Sequence, residues 1–194
     1  MKLTDIWGFM LNKRAKSGSQ RVLESLQIKD GDMIADIGSG GGYFTFEFAK
    51  MVGKNGKVFA VDTNTALLRY INNKLKIQKI QNVVTIIAKE TGFVLPDGTC
   101  NLIFVRNVFH HINNAEVYFR NIQKNLNPNG KIAIIEWLPN TKRGYPIRTD
   151  HSTSEIEIRK VMKVAGFQQI RSFDFLDNQS FNIFKLNSTS SNSF

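Results

Sequence analysis

The residues in this chain whose types and spacing suit chemistry are a glycine-rich turn, the two acids beside it and a pair of adjacent histidines. Residues 33–44 read MIADIGSGGGYF: an apolar run carrying Asp36 breaks into Gly38, Gly40, Gly41 and Gly42, then resumes through Phe44, Phe48 and Val52. That order predicts strand, tight turn and helix. Glycines leave a turn without Cβ atoms, so its backbone can take positive φ and lie directly against a ligand. The helix that follows aims unpaired N–H groups and its positive dipole end into the same space. A nucleotide-like ligand suits such a turn. The second acid, Asp62, closes the β-branched and aromatic run 57–62, 20 residues after Gly42. A carboxylate at the end of a second strand can accept both hydroxyls of a ribose. The alternative duty for Asp62 is capping the next helix, for which Thr63 and Asn64 also compete. His110 and His111 are the candidate general bases, because imidazole ordinarily titrates nearest neutrality.

Glycine spacing selects among nucleotides. The dinucleotide fingerprint G-x-G-x-x-G needs a third glycine for close helix–strand packing, but counting from Gly38 and Gly40 that position is Tyr43. A phosphate-binding P-loop requires Gly-Lys-Ser or Gly-Lys-Thr, and neither follows the glycines. The remaining pattern, D-x-G-x-G-x-G over Asp36, Gly38, Gly40 and Gly42, resembles motif I of class I S-adenosylmethionine (SAM) dependent methyltransferases. Two later stretches extend the resemblance. Residues 105–112, VRNVFHHI, are similar to the N-V-F-H-H-I stretch after the fourth strand of many small-molecule methyltransferases, and residues 126–131, LNPNGK, to the L-K-P-G-G turn before the fifth. The family implied is the small-molecule methyltransferase-like one, with a domain of type 11/25.

The elements that must position these residues alternate. Residues 20–26 form a short helix closed by the turn 29–32, and residues 65–79 place Leu67, Leu68, Ile71 and Leu75 at helical spacing behind an Asn64 cap. Strands are expected at 83–88, 102–105 and 131–137, with a helix capped by Asn114 between the last two and ended by the turn 127–130. Ser154 and Glu157 make a capping box for a helix that stops at Gly166, and strands 167–175 and 181–186 end the pattern as a hairpin. Such alternation implies an α/β fold with a parallel sheet, right-handed crossovers and a ligand beyond the carboxyl ends of the strands. With the resemblance it predicts a Rossmann-like, doubly wound, seven-stranded, mostly parallel sheet with an antiparallel C-terminal hairpin. The expected organisation is an N-terminal arm over 1–19 that can serve as a lid, a SAM-binding domain over 20–186 and a disordered polar tail over 187–194. Trp7, Phe9, Met10 and Leu11 in the arm are too apolar to be left in water, and are expected to pack on the domain or on something bound to it.

The resemblance also implies site residues. SAM is the expected cofactor, held by Asp36, Gly38, Ser39, Gly40, Tyr43, Asp62, Thr63, Glu90 and Asn107, with Tyr43 covering its methionine end or simply packing. Glu90 stands in for the acid that relatives place after the third strand, where this chain has Ala88-Lys89-Glu90-Thr91. Asn101 replaces the acid that usually begins the fourth strand, a change expected to affect strand entry more than chemistry. His110 and His111 are the catalytic candidates; adjacent on a helical turn, they are expected to point apart, one facing the site and one packing. Arg106 and Glu136 are the substrate candidates, Glu136 having a surface arginine as an alternative partner, while Arg143, Arg148 and His151 lie in a long rim loop. No metal is expected, because His151 is the one other histidine and no carboxylate stands at ligand spacing from 110 or 111.

Composition bounds the rest. A chain of 194 residues with 42% hydrophobic content suits one domain with a substantial core. Lone Cys100 excludes a disulfide framework and a cysteine zinc site. The apolar patch 6–11 is too short for a membrane span, so a cytoplasmic protein is expected. A net charge of +10 admits a nucleic-acid partner, but the basic residues are spread along the chain and the N-P-P-Y signature of base methyltransferases is absent. The expected activity is methyl transfer to a small-molecule acceptor; an RNA or protein methyltransferase and a SAM-binding protein without transferase activity are the alternatives. Oligomeric state is left open.

Overall fold

Runs of β-branched and aromatic residues separated by polar, helix-forming stretches set the element order. The computed structural model describes residues 3–16, 18–139 and 151–187. Residues 188–194 of the expected tail, and residues 140–150 of the expected rim loop with Arg143 and Arg148, lie outside the described residues. Seven strands are β1 (Met33–Ile37), β2 (Lys57–Asp62), β3 (Val83–Ile87), β4 (Cys100–Arg106), β5 (Leu126–Trp137), β6 (Phe167–Phe173) and β7 (Gln179–Leu186). They form one sheet in the order β3-β2-β1-β4-β5-β7-β6. β1 pairs parallel with β2 and β2 with β3, while β7 pairs antiparallel with both β5 and β6. Six helices accompany them among the described residues: α1 (Leu3–Lys16), α2 (Ser19–Leu26), α3 (Tyr43–Met51), α4 (Thr65–Gln78), α5 (Ala115–Ile122) and α6 (Glu155–Val164). The expected doubly wound sheet with an antiparallel C-terminal hairpin is therefore the one formed.

Two compact units can be distinguished, residues 1–89 with 100–102, and residues 90–99 with 103–194. In the first, Ile34, Ala35, Val58, Ala60 and Val61 are fully buried, as the inner strands of a parallel sheet covered on both faces require. Phe48, Val52 and Ile71 from the adjoining helical segments are fully buried too, each side chain contributing roughly 1.5–3 kcal/mol by leaving water. Asn64 caps α4 as expected, its Oδ1 accepting the N–H groups of Ala66 and Leu67. Asn101, at the start of β4, accepts the Met33 N–H on its Oδ1 at 2.8 Å and so ties down the start of β1.

In the second unit Ile132, Ala133, Ile134 and Ile135 of β5 are all buried and face Phe184, Ile183, Asn182 and Phe181 across the ladder. Ser154 caps α6 by accepting the Glu157 N–H. Two local expectations are corrected here. Asn114 occupies the position before α5 but adopts left-handed backbone, φ 46°, and makes no side-chain cap. β5 starts at Leu126, not Lys131, because a tight 3-10 turn over Gln123–Asn125 has already closed the helix and Pro128 accommodates extended backbone.

Candidate functional site

In the first unit the glycine turn is tied to the end of β2. Gly38 and Ser39 both donate to the Val61 carbonyl, at 2.8 and 3.1 Å, and Gly42 turns back to donate to Ser39 O at 2.8 Å. Gly40 and Gly42 hold φ of 54° and 84°, the left-handed region that glycine takes at least cost. Asp62, at 9% exposure, links the two motifs that the sequence singled out. Its Oδ2 accepts the Gly40 N–H at 2.9 Å and its Oδ1 the Asn64 N–H at 2.8 Å. Asn64 does the helix capping, and each Asp62 oxygen keeps a second lone pair for another donor. Ser39 Oγ is buried and makes no hydrogen bond. Thr63 is exposed, as is Glu90, which belongs to the second unit.

Asp36 is held differently, inside the first unit at 3% exposure with the Thr45 hydroxyl donating to its Oδ2 at 2.6 Å. Burial drives its pKa up to about 7, against the Thr45 hydrogen bond that lowers it and with the Asp62 charge that raises it further. Tyr43 shares a 2.7 Å hydrogen bond with the Ser19 hydroxyl, which ties the start of α3 to α2. The arm, as α1, rests on the turn: Asn12 donates from its side-chain amide to Gly41 O at 2.8 Å, and Leu11 Cδ1 lies 3.5 Å from where a Gly40 Cβ would be. Its packing face is not the expected aromatic one. Trp7, Phe9 and Met10 are exposed while Gly8 is buried, because the missing side chain lets the α1 backbone approach Gly41 and the Tyr70 ring closely.

The second unit assembles a separate polar group. Asn107 follows β4 with φ 57°, a left-handed conformation that asparagine tolerates, and donates its N–H to Ile135 O at 2.8 Å. Gln179, buried on β7, accepts from Arg106 Nη2 at 3.3 Å and donates to Asn107 Oδ1. Glu136 is fully buried, and its partner is His110 in place of the surface arginine allowed by the sequence. Glu136 Oε2 lies 2.9 Å from His110 Nδ1 without hydrogen-bond alignment, and also accepts the His110 backbone N–H at 3.3 Å. Oε1 accepts the Trp137 N–H at 2.6 Å.

The expectation that His110 and His111 diverge is corrected. A tight 3-10 turn over Phe109–His111 brings their ring centroids to 4.0 Å, and the His151 ring stands 5.4 Å from each. Thr153 donates its N–H to Trp137 O at 3.1 Å, pinning the returning chain beside the strand end that carries Glu136. Sequence spacing gave no sign of this meeting, since His151 lies 40 residues beyond His111.

Comparison with known proteins bears on what these two groups do. The family model described as a methyltransferase domain matches residues 28–165. The ubiquinone/menaquinone biosynthesis C-methyltransferase UbiE of Hydrogenovibrio crunogenus is 26% identical over 136 residues, covering 70% of this chain and 52% of that protein. The protein of the same name from Escherichia fergusonii is 29% identical over 111 residues, covering 57% of this chain and 44% of that one. The chain thus spans about half the length of the curated relatives it matches. Among solved structures, a SAM dependent methyltransferase from Aquifex aeolicus superposes with a TM-score of 0.79 at 25% identity, covering 85% of this chain and 87% of that one.

Proposed function

The chain belongs to the methyltransferase-domain family, and from that premise we propose that it transfers a methyl group from SAM to a small-molecule acceptor. The observation that carries the reading is the Asp62 carboxylate tied to Gly40 N–H beside the buried, unpartnered Ser39 hydroxyl. The residues present fit the cofactor: a turn without side-chain bulk, a carboxylate with acceptor capacity left and a hydroxyl awaiting a partner. Asp62 would hold the ribose hydroxyls, the 38–40 backbone and Tyr43 the methionine portion, and Ser39 and Thr63 would add polar contacts. Glu90 and Asn107 complete the set by family resemblance. Asp36, bonded to Thr45, acts from inside by holding the turn's base. When bound, SAM supplies a methyl group already activated on a sulfonium.

The chain's own task is then to orient the acceptor and exclude water, which can supply several orders of magnitude in rate. Where the acceptor must lose a proton, His110 takes it at Nε2, the ring nitrogen away from the Glu136 carboxylate that lies 2.9 Å from Nδ1. His111 is the second candidate, and Arg106 orients an anionic acceptor. C-methylation, the reaction in the curated relatives' names, is one case that needs such a base. α1, whose Asn12 amide donates to Gly41 O, would serve as the lid over the turn.

Incubating a cell extract with the protein and methyl-labelled SAM, followed by mass spectrometry, tests the proposal. A labelled small molecule is the expected product. Label on RNA or protein supports the alternative that the net charge of +10 favours, and tight SAM binding without any product supports a binding protein.

A further inference from the structure

Three imidazoles from two distant stretches converge in the second unit. One nitrogen from each of His110, His111 and His151 lies within 4.8 Å of the others. Bringing three basic rings together is costly if they carry charge, and His111 stays exposed within the cluster. The buried Glu136 carboxylate lies 2.9 Å from His110 Nδ1 and accepts the His110 backbone N–H, which leaves Nε2 as the ring nitrogen for a ligand. A carboxylate behind a histidine is the outer-shell arrangement that fixes a metal ligand's tautomer and ring orientation. Thr153, two residues from His151, is pinned to Trp137 O, so the same end of β5 sets both sides of the cluster.

We propose that His110, His111 and His151 form a three-histidine site for a divalent transition metal, zinc first, with Glu136 as its outer-shell anchor. Three neutral nitrogen donors suit zinc, copper or nickel and disfavour magnesium and calcium, which select oxygen ligands. A tetrahedral zinc has ligand nitrogens about 3.3 Å apart at bond lengths near 2.0–2.1 Å, so the rings must draw together from their 4.8 Å spread. Three protein ligands leave one position open, as in zinc sites that bind water or substrate. The proposal goes beyond the methyl-transfer reading and does not rest on it; with the metal bound, His110 Nε2 is a ligand and no longer a base, so the two roles exclude each other at that atom.

The test uses the tag-free, full-length chain stripped with a chelator and dialysed, titrated with Zn²⁺ alone by calorimetry and with Co²⁺ alone by visible absorption. One equivalent is expected to bind, with the intense bands of four-coordinate cobalt. His151→Asn and His111→Asn should each weaken zinc by roughly a hundredfold or more, and Glu136→Gln by about 10–100-fold, with far-ultraviolet circular dichroism confirming the fold. His111 is exposed, so its variant keeps the test decisive if another fails to fold. S-adenosylhomocysteine affinity, measured on the same samples, reports on the methyl-transfer reading independently. Failure of the folded wild type to saturate with either ion, or unchanged zinc affinity in a folded histidine variant, overturns the site.

Discussion

Asp36 is a carboxylate buried at 3% exposure with a hydroxyl, not a cation, donating to it. Burial raises its pKa from the ordinary 3.8 to about 7 in the folded chain. Between those values the folded state holds the proton and the unfolded state has lost it, so this group's contribution to stability falls as pH rises through that window. Asp36→Asn should therefore gain stability relative to wild type between acid and mildly alkaline pH, up to a ceiling of about 4 kcal/mol; thermal melts across the range check it, and a pH-independent difference speaks against the shift. Asp62 makes the opposite case, a carboxylate with assigned donors. Asp62→Ala should weaken SAM binding by about 1.5–3 kcal/mol, or ten- to a hundredfold, as read by calorimetry. Unchanged affinity in a folded variant would leave Asp62 as an organiser of the turn. The spacing of Asp62 from the glycines was readable in the chain, whereas Thr45 beneath Asp36 gave no sequence signal, although the two lie on adjoining elements.

At the scale of elements, α1 and the glycine turn are fitted to each other through backbone. A Cβ on Gly41 would stand 2.2 Å from the Gly8 carbonyl, and backbone cannot swing aside as a flexible side chain can. Gly41→Ala should therefore loosen α1 at a cost of roughly 1–3 kcal/mol, seen as faster proteolysis within residues 3–16 while the rest of the chain stays protected. Deleting residues 1–16 tests the lid directly: the remaining chain should fold, bind SAM somewhat more weakly and lose most of its transfer rate. A truncation that lowers the melting temperature and leaves transfer intact would make α1 packing alone. The aromatic content of the arm drew attention to Trp7 and Phe9, yet contact is made by Gly8, Leu11 and Asn12. Hydrophobicity marks which segment needs a surface, but close approach selects the face with the least bulk.

The whole molecule carries a net charge of +10, enough to attract RNA without any site for it. Binding to RNA should be detectable at low salt and fall steeply toward physiological ionic strength, as counterion release requires, with no methyl label retained on the RNA; salt-resistant binding with label on RNA would favour the nucleic-acid alternative. What the sequence determined by itself was whatever is encoded within a short run: the order of strands and helices, the glycine turn, Asp62 at the end of β2 and the caps at Asn64 and Ser154. Periodicity and turn chemistry act between neighbours, and they can be read without knowing what lies across the sheet. Asn114 failed as a cap for the complementary reason, its backbone being set by the turn it joins. Tertiary structure decided the pairings: Glu136 behind His110 across 26 residues, Gln179 on Asn107 across 72, and His151 beside two histidines far earlier in the chain. Those meetings depend on strand order and register, which bring positions together according to packing in three dimensions and leave no periodic trace along one.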